Sequence, residues 1–421
     1  MYNESFDREN EEIDFKITKK HYPRINNDKV LEFVFDKDPN LHLRKNKIII
    51  RGHIELDPAF VIENGFAPKL FSMMTVELNS QVISRNLNRL VLDLSQLIIW
   101  FRGEYFLTDY IYKLGNYDGG LMDTGFIFEG YVDNYNCSSK ELTGTDIIAN
   151  RQYHRYSNDG KKVYEFAIIP NMGFLGSPDL LVKNCELKLS FDRAPTSIAI
   201  LKVGEPAEEL KDHLEIKDCF AMTDYISSSA IRDYFSVIET QPFVYRYDDV
   251  DVIIKNIPLG ETDIRFDTLR GGNTPSYMFV GIIPQKSLMG DLKESSTGFR
   301  ANMITEMNIT FNGNSVNGYP MNITDNSYIF PMLKYLDVTG QIYNQNCGQT
   351  ITGPEFEYNF LWSHKFEAEP SPEGWVGVSF KFSELVKKED GENEPMCLVA
   401  WIMFESAFTI DNFLQIDKIN L

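Results

Sequence analysis

Apolar and polar residues alternate with a period of two along most of the chain. Cys185, Leu187, Leu189 and Phe191 alternate with Glu186, Lys188 and Ser190, and Val376, Val378, Phe380 and Phe382 repeat the arrangement. Successive side chains of a strand point to opposite faces, so each run predicts a strand with one face on a core and one in water. Shorter runs at Val30–Phe35, Ile48–Ile54, Thr75–Leu78, Val163–Ile169, Val250–Ile254, Tyr277–Ile283, Met307–Phe311 and Glu357–Trp362 predict further strands. Met396–Phe404 is apolar throughout, which predicts a strand buried on both faces. Many short strands separated by Gly, Pro and Asn turns point to all-β sandwiches and away from a βαβ sheet.

One pattern occurs twice. Met74-Thr75-Val76-Glu77-Leu78-Asn79-Ser80 resembles Met307-Asn308-Ile309-Thr310-Phe311-Asn312-Gly313 at a separation of 233 residues. Asn-Ser and Asn-Gly suit a tight hairpin because Asn and Gly tolerate positive φ, and a second strand follows each copy (Gln81-Val82-Ile83; Asn314-Ser315-Val316). The repeat points to two related halves. Helical spacing interrupts the strands at Leu87, Leu90, Val91, Leu94, Ile98 and Phe101, with Ser84 or Asn86 as cap, and again at Phe106, Leu107, Tyr110, Ile111 and Leu114. The second half has a shorter counterpart, Tyr328–Leu336, containing Pro331. A further helical pattern, Ala230, Ile231, Tyr234, Phe235 and Ile238, predicts an inter-domain linker, with the boundary near Thr240-Gln241-Pro242. The expected organisation is residues 1–240 as a first sandwich with a helical insertion around 84–114, and 241–421 as a second.

Length agrees, since 421 residues exceed what one core usually serves and suggest two domains of about 200 residues. The 30 Phe and 21 Tyr fit β-sheet packing and argue against disorder. With 61 acidic and 41 basic residues, the formal charge of −20 would repel nucleic acid unless the cations were segregated, so no direct sequence-specific nucleic-acid binding is expected. Five widely spaced cysteines (Cys137, Cys185, Cys219, Cys347, Cys397) without a CxxC pair support neither a disulfide framework nor a zinc site. The polar, acidic stretch Met1–Glu12 has no secretory or transit character, so the expectation is a soluble, non-secreted chain whose sequons at Asn3, Asn136, Asn308 and Asn322 stay unmodified. Met396–Phe404 is far shorter than the roughly 20 residues of a membrane helix.

Signatures of chemistry are sparse. The chain has no GxxxxGK[ST], and Gly119-Gly120 and Gly271-Gly272 lack GxGxxG spacing. A GxSxG elbow is missing, and the six histidines (His21, His42, His53, His154, His213, His364) form neither HExxH nor His-x-His. Asp36, Asp38 and Asn40 imitate the start of a calcium loop, but Leu41 and Lys47 stand where it needs Gly and Glu. Asp249 and Asp251 would share a strand face and could hold a cation, although ordinary alternation, with Val250 and Val252 inward, accounts for them. Arg151, Tyr153, His154, Arg155 and Tyr156 form a small basic-aromatic cluster, better read as a loop cap or subunit contact than as a nucleic-acid site. Trp100, Trp362, Trp375 and Trp401 lie in apolar runs or at strand starts and are expected in cores. No catalytic, cofactor-binding or metal-ligating residue is assigned, and the chain is not expected to be an enzyme.

The order of these features resembles the double jelly-roll major capsid proteins of Polinton or Maverick elements and adintovirus-like viruses. In the first half the resemblance lies in Phe71–Ile83 and in Asn184–Leu189 leading to Leu214–Cys219. In the second it lies in Pro242–Pro258, Ser276–Leu288, the hairpin Met307–Pro320 and Trp375–Asp411. The stretch Ile83–Asp118 departs from the family by lacking a Tyr-Pro-Tyr-like continuation. The resemblance implies two jelly rolls per chain and homotrimeric, pseudo-hexagonal capsomers. It also implies an icosahedral shell with neighbouring capsomers, penton and minor capsid proteins as partners, assembled inside the host cell. A carbohydrate- or receptor-binding jelly roll, and a domesticated capsid-derived protein, are the alternatives.

Overall fold

A computed structural model describes residues 15–57, 60–62, 66–88, 155–156, 161–168, 170, 173–177, 180–202, 214–292, 299, 304–323, 328–338, 360–366, 374–383 and 394–419. The first half contains β1 (Phe15–His21), β2 (Ile25–Asn26), β3 (Val30–Phe35), β4 (His42–Leu43), β5 (Ile49–Leu56), β6 (Phe60–Ile62), β7 (Phe71–Leu78), β8 (Gln81–Asn88), β9 (Arg155–Tyr156), β10 (Lys162–Ile168), β11 (Leu187–Arg193), β12 (Ile200–Lys202) and β13 (Leu214–Ser227). Short helices α1 (Phe66–Lys69) and α2 (Gly173–Gly176) punctuate them, and α3 (Ser229–Phe235) follows. The second half contains β14 (Phe243–Asn256), β15 (Asp263–Gly272), β16 (Tyr277–Pro284), α4 (Gln285–Met289), β17 (Ile304–Phe311), β18 (Asn314–Ser315), β19 (Met321–Asn322), α5 (Ile329–Val338), β20 (Trp362–Lys365), β21 (Gly374–Phe382), β22 (Met396–Ile410) and β23 (Ile416–Ile419).

Each half forms two principal antiparallel sheets. The first half has the orders β1-β13-β5-β10-β9, with β4 beside β13, and β2-β3-β11-β7-β8; a small ladder joins β6 and β12. The second has β14-β22-β16-β20, with β23 on β22, and β15-β21-β17-β18, with β19 on β17. Take the principal strands of each half in chain order: β1, β3, β5, β7, β8, β10, β11, β13, and then β14, β15, β16, β17, β18, β20, β21, β22. Both halves read 1-8-3-6 in one sheet and 2-7-4-5 in the other. This is the eight-stranded double Greek key of a jelly roll, occurring twice.

Period-two patterning explains the packing. Residues opposite each other on antiparallel strands share a face, and β3, β11 and β7 stack three such rows: Phe35-Leu187-Leu78, Phe33-Leu189-Val76 and Leu31-Phe191-Met74. All nine are buried, while Lys188 on the opposite face bridges Glu77 (3.1 Å) and Glu32 (3.4 Å). The second half repeats the device with Ile264-Phe380-Met307 and Phe266-Val378-Ile309, and with Lys381 on Glu306 (2.9 Å). Strand β22 is buried continuously from Met396 to Met403, as its unbroken apolar run predicts. Its outer cover includes Phe299 against Trp401 (5.4 Å between ring centres), and Tyr335 of α5 meets Phe279 of the adjoining β16 (6.1 Å).

The repeated hairpin is the fourth-to-fifth strand connection in both halves. Strands β7 and β17 start 233 positions apart, the same offset as the repeat itself. Asn79 (φ 47°) and Ser80 (67°) make one turn, and Asn312 (50°) and Gly313 (80°) the other. Both turns are of the positive-φ kind that matches strand twist. Both asparagines do the same further work. The Asn79 backbone N–H donates to Glu186 O and its side-chain Oδ1 accepts from Glu186 N, each at 2.9 Å. Asn312 does likewise with Trp375 O and N, each at 2.9 Å. In each half the asparagine thus pins the start of the seventh strand.

Local expectations need three corrections. Ser84, Asn86 and Leu87 lie in β8 and neither cap nor begin a helix, because pairing with β7 through Asn88 outweighs helical spacing. Residues 89–154, with most of the expected insertion around 84–114, lie outside the described residues. The strand expected at Glu357–Trp362 starts at Trp362 and runs to Lys365, with 357–359 outside the described residues. The strand expected at Val250–Ile254 begins earlier, at Phe243. The linker pattern forms α3, capped by Ser228 Oγ accepting from Ile231 N (3.1 Å), and continues as a 3₁₀ turn over Ser236–Glu239. Pro331 is tolerated within α5 because it falls in the first turn.

Candidate functional site

The joint between the sandwiches is the best-defined polar and aromatic constellation in the described residues. Tyr245 on β14 donates its hydroxyl to Leu180 O (2.8 Å) and accepts from Val182 N (2.9 Å), closing both sides of one short segment of the first sandwich. Around it Phe174 of α2 packs on Tyr245 (5.4 Å), Tyr247 (6.0 Å) and Phe408 (5.1 Å). The linker adds Phe235 against Phe243 (4.9 Å), and Phe243 lies 4.9 Å from Tyr245. Asn79 donates across the joint to Leu414 O (3.2 Å). The buried residues of both sandwiches accordingly form one continuous core. Burying this much aromatic surface stabilises the packed arrangement of the pair.

The acidic strip on β14 divides by partner. Val250 is buried and Val252 partly so, as alternation requires, and Asp251 pairs with Arg270 (2.6 Å), whose guanidinium also covers Phe404 (3.9 Å). Asp248 faces solvent directly opposite Glu405; crowding by protein and then the Glu405 charge raise its carboxyl above the ordinary range. Asp249 is raised by burial and by Asp251, against an opposing bond from Val250 N. Of the two carboxylates, Asp251 is thus committed to a cation already in the chain, Arg270, while Asp249 accepts from Val250 N (3.0 Å). Asp38, the calcium-loop imitator, accepts from Asn40 N, Leu41 N and Lys19 Nζ (3.0, 3.0 and 3.1 Å), which makes it a turn cap. Among the described residues no group of three or more His, Cys, Asp or Glu could hold a metal ion.

Histidines and cysteines are dispersed. His42 is fully buried and held by burial at about 4; His364 is also lowered to about 4, by burial and then by Lys334; burial lowers His21 as well. Burial raises the Cys185 thiol to about 11 and the Cys219 thiol to about 12, which leaves them poor nucleophiles. Of the basic-aromatic cluster, Arg155 and Tyr156 form β9, while 151–154 lie outside the described residues. Among the sequons, Asn308 sits mid-strand and accepts from Ser315 Oγ (2.6 Å), Asn322 is exposed, and Asn3 and Asn136 lie outside the described residues. Trp362 and Trp401 are core residues as expected; Trp375 is not, being 45% exposed at the seventh-strand start that Asn312 pins. Trp100 lies outside the described residues. Other large apolar side chains reach solvent, among them Ile329, Phe330 and Leu333 on one side of α5, Tyr22 and Phe413.

Comparison with known proteins bears on this architecture. No family model matches the chain. In sequence it is similar to the uncharacterized protein F54H12.2 of Caenorhabditis elegans, with 20% identity over 317 residues, covering 68% of this chain and 73% of that one. In structure it is similar to the Sputnik virophage chain, with a TM-score of 0.60 and 9% identity over 100% of this chain and 91% of that one. The chain is a double jelly roll. Two further double jelly rolls align over nearly all of it. One comes from the PBCV-1 virus capsid (TM-score 0.55, 10% identity, 97% of each chain). The other is the mavirus major capsid protein (0.51, 9% identity, 96% of this chain and 90% of that one). At such identities the likeness is one of fold. The double jelly roll offers a pair of lobes with the same connectivity and with large apolar side chains exposed on their surface.

Proposed function

We propose that this chain is a structural major capsid protein that acts by self-assembly. The observation that carries the reading is the pair of sandwiches with identical strand connectivity, fused through one continuous aromatic joint. Three copies of such a pair supply six similar lobes, which is the geometry of a pseudo-hexagonal capsomer that tiles an icosahedral shell. The likeness to chains from Sputnik, mavirus and the PBCV-1 capsid supports it. In this reading the chain resides in the virion capsid after assembly inside the host cell. Its partners there are two further copies, neighbouring capsomers, penton and minor capsid proteins. The sequence likeness to a nematode protein fits an origin in elements of the Polinton, Maverick or adintovirus kind, and equally fits a domesticated copy.

Light scattering of the purified chain across a wide concentration range tests the reading. A trimer mass is expected, with hexagonal arrays or particles by electron microscopy. A strictly monomeric chain that forms no array would overturn it.

A further inference from the structure

The joint contains a buried histidine that the shell-building role does not use. His42 in β4 is fully buried and lies face to face on Phe235 of α3, with ring centres 4.4 Å apart and planes 13° apart. Its Nδ1 is 3.0 Å from Leu181 O. A carbonyl can only accept, so Nδ1 carries the proton and Nε2 is the bare nitrogen of a neutral ring. That Nε2 is itself buried and has no hydrogen-bond partner.

The position of this ring matters more than its burial. The carbonyl it grips belongs to Leu181, between the two groups that Tyr245 of the second sandwich holds, Leu180 O and Val182 N. The ring it stacks on starts an aromatic run from Phe235 through Phe243 and Tyr245 to Phe408. His42 thus touches the clamped segment and the linker at once.

We propose that the joint between the sandwiches is an acid-sensitive latch with His42 as its trigger. Protonating Nε2 places an N–H and a full charge where no described residue offers an acceptor, and such a group is accommodated by opening the site to solvent. The charged neighbours oppose protonation or are already engaged. Lys183, on the clamped segment, acts on the ring with the same sign. Asp224 of β13 is held by Thr18 (2.6 Å) and Lys16 (2.8 Å), Lys45 beyond β4 is bound to Ser177 O (2.6 Å), and Arg232 and Asp233 of α3 are exposed. Among the described residues no carboxylate pairs with the His42 ring. Opening lifts the 180–182 segment and breaks both Tyr245 bonds, loosening the joint at this point while Phe174 on Phe408 and the Asn79–Leu414 bond still link the sandwiches. The latch depends on the joint alone, so it stands or falls separately from the shell-building role.

Hydrogen exchange on the full chain tests it, read as protection factors at about pH 7 and about pH 4.5. With the ring near 4 when closed and near its ordinary 6.5 when open, the Leu181 and Val182 amides should lose protection on the order of 50-fold on acidification, while β22 amides at Leu398–Ile402 hold. His42→Asn keeps a donor at the Nδ1 position and cannot titrate, so it should cut that loss to under about 5-fold. Unchanged wild-type protection, or an equal loss in the variant, overturns the latch. If the Asn variant does not fold, Tyr245→Phe gives a second reading. It should expose Val182 N–H already at neutral pH and flatten the acid dependence; an acid dependence as steep as the wild type's overturns the proposal.

Discussion

The eighth strands of the two sandwiches, β13 and β22, occupy the same place in the same topology and are built differently. Strand β22 is covered on both faces from Met396 to Met403 and pairs with β14 without a break in register. Strand β13 slips register between Lys217 and Phe220, where Asp218 takes a positive φ of 46°, and it buries a continuous stretch only over Thr223–Ile226. One connectivity therefore tolerates two distributions of apolar surface, provided each strand's pattern matches the cover it receives. The second sandwich concentrates its stability in one central strand, and the first spreads it over the β3-β11-β7 rows.

The largest expected effect lies in that central strand. Trp401→Ala removes a fully buried indole and should cost about 3–5 kcal/mol, whereas Phe220→Ala at the half-exposed slip of β13 should cost about 1–2 kcal/mol. Urea titration measures both, and equal losses would erase the contrast. Acid comes next, through buried His42 in the first sandwich and partly buried His364 in the second. His42 and His364 are lowered when folded, so the unfolded chain binds more protons between about pH 4 and 6.5 and stability falls as pH drops through that window. The loss should approach about 3 kcal/mol for His42 and be smaller for the partly exposed His364. Denaturation of His42→Asn and His364→Asn at both ends of the window separates the two contributions.

The paired turns sharpen the comparison further. Asn79→Ala strands Glu186 N–H and Leu414 O and should cost about 2 kcal/mol, against about 1 kcal/mol for Asn312→Ala, whose partner Trp375 is open to water. The smallest effects have opposite signs. Gly313→Ala should destabilise by about 1 kcal/mol at φ 80°, and Ser80→Gly should stabilise by up to about 1 kcal/mol at φ 67°. Thermal melts of the two variants that shifted in the same direction would show that the turns are not equivalent.

The sandwiches were legible in the sequence because their strands carry alternation that any pairing partner must respect. The hairpin repeat was legible because Asn-Ser and Asn-Gly encode a turn within a few residues. The joint was not. His42 and Leu181 are far along the chain from each other and from Phe235 and Tyr245, and nothing local distinguishes Tyr245 from the Tyr247 two residues later. The helical spacing at Leu87 misled because period 3.6 and period 2 share too many positions over so short a run, and cross-strand pairing decided it. Trp375 was placed in a core for its apolar neighbours, but the first residues of a strand lie at the sandwich rim, where half a large ring can stay wet.

The Tyr245 hydroxyl both gives and receives a hydrogen bond on either side of a single residue, Leu181, so the two lobes have one seating and no sliding alternative. In the proposed shell, a joint with a single seating would leave the bending of the surface to the seams between copies.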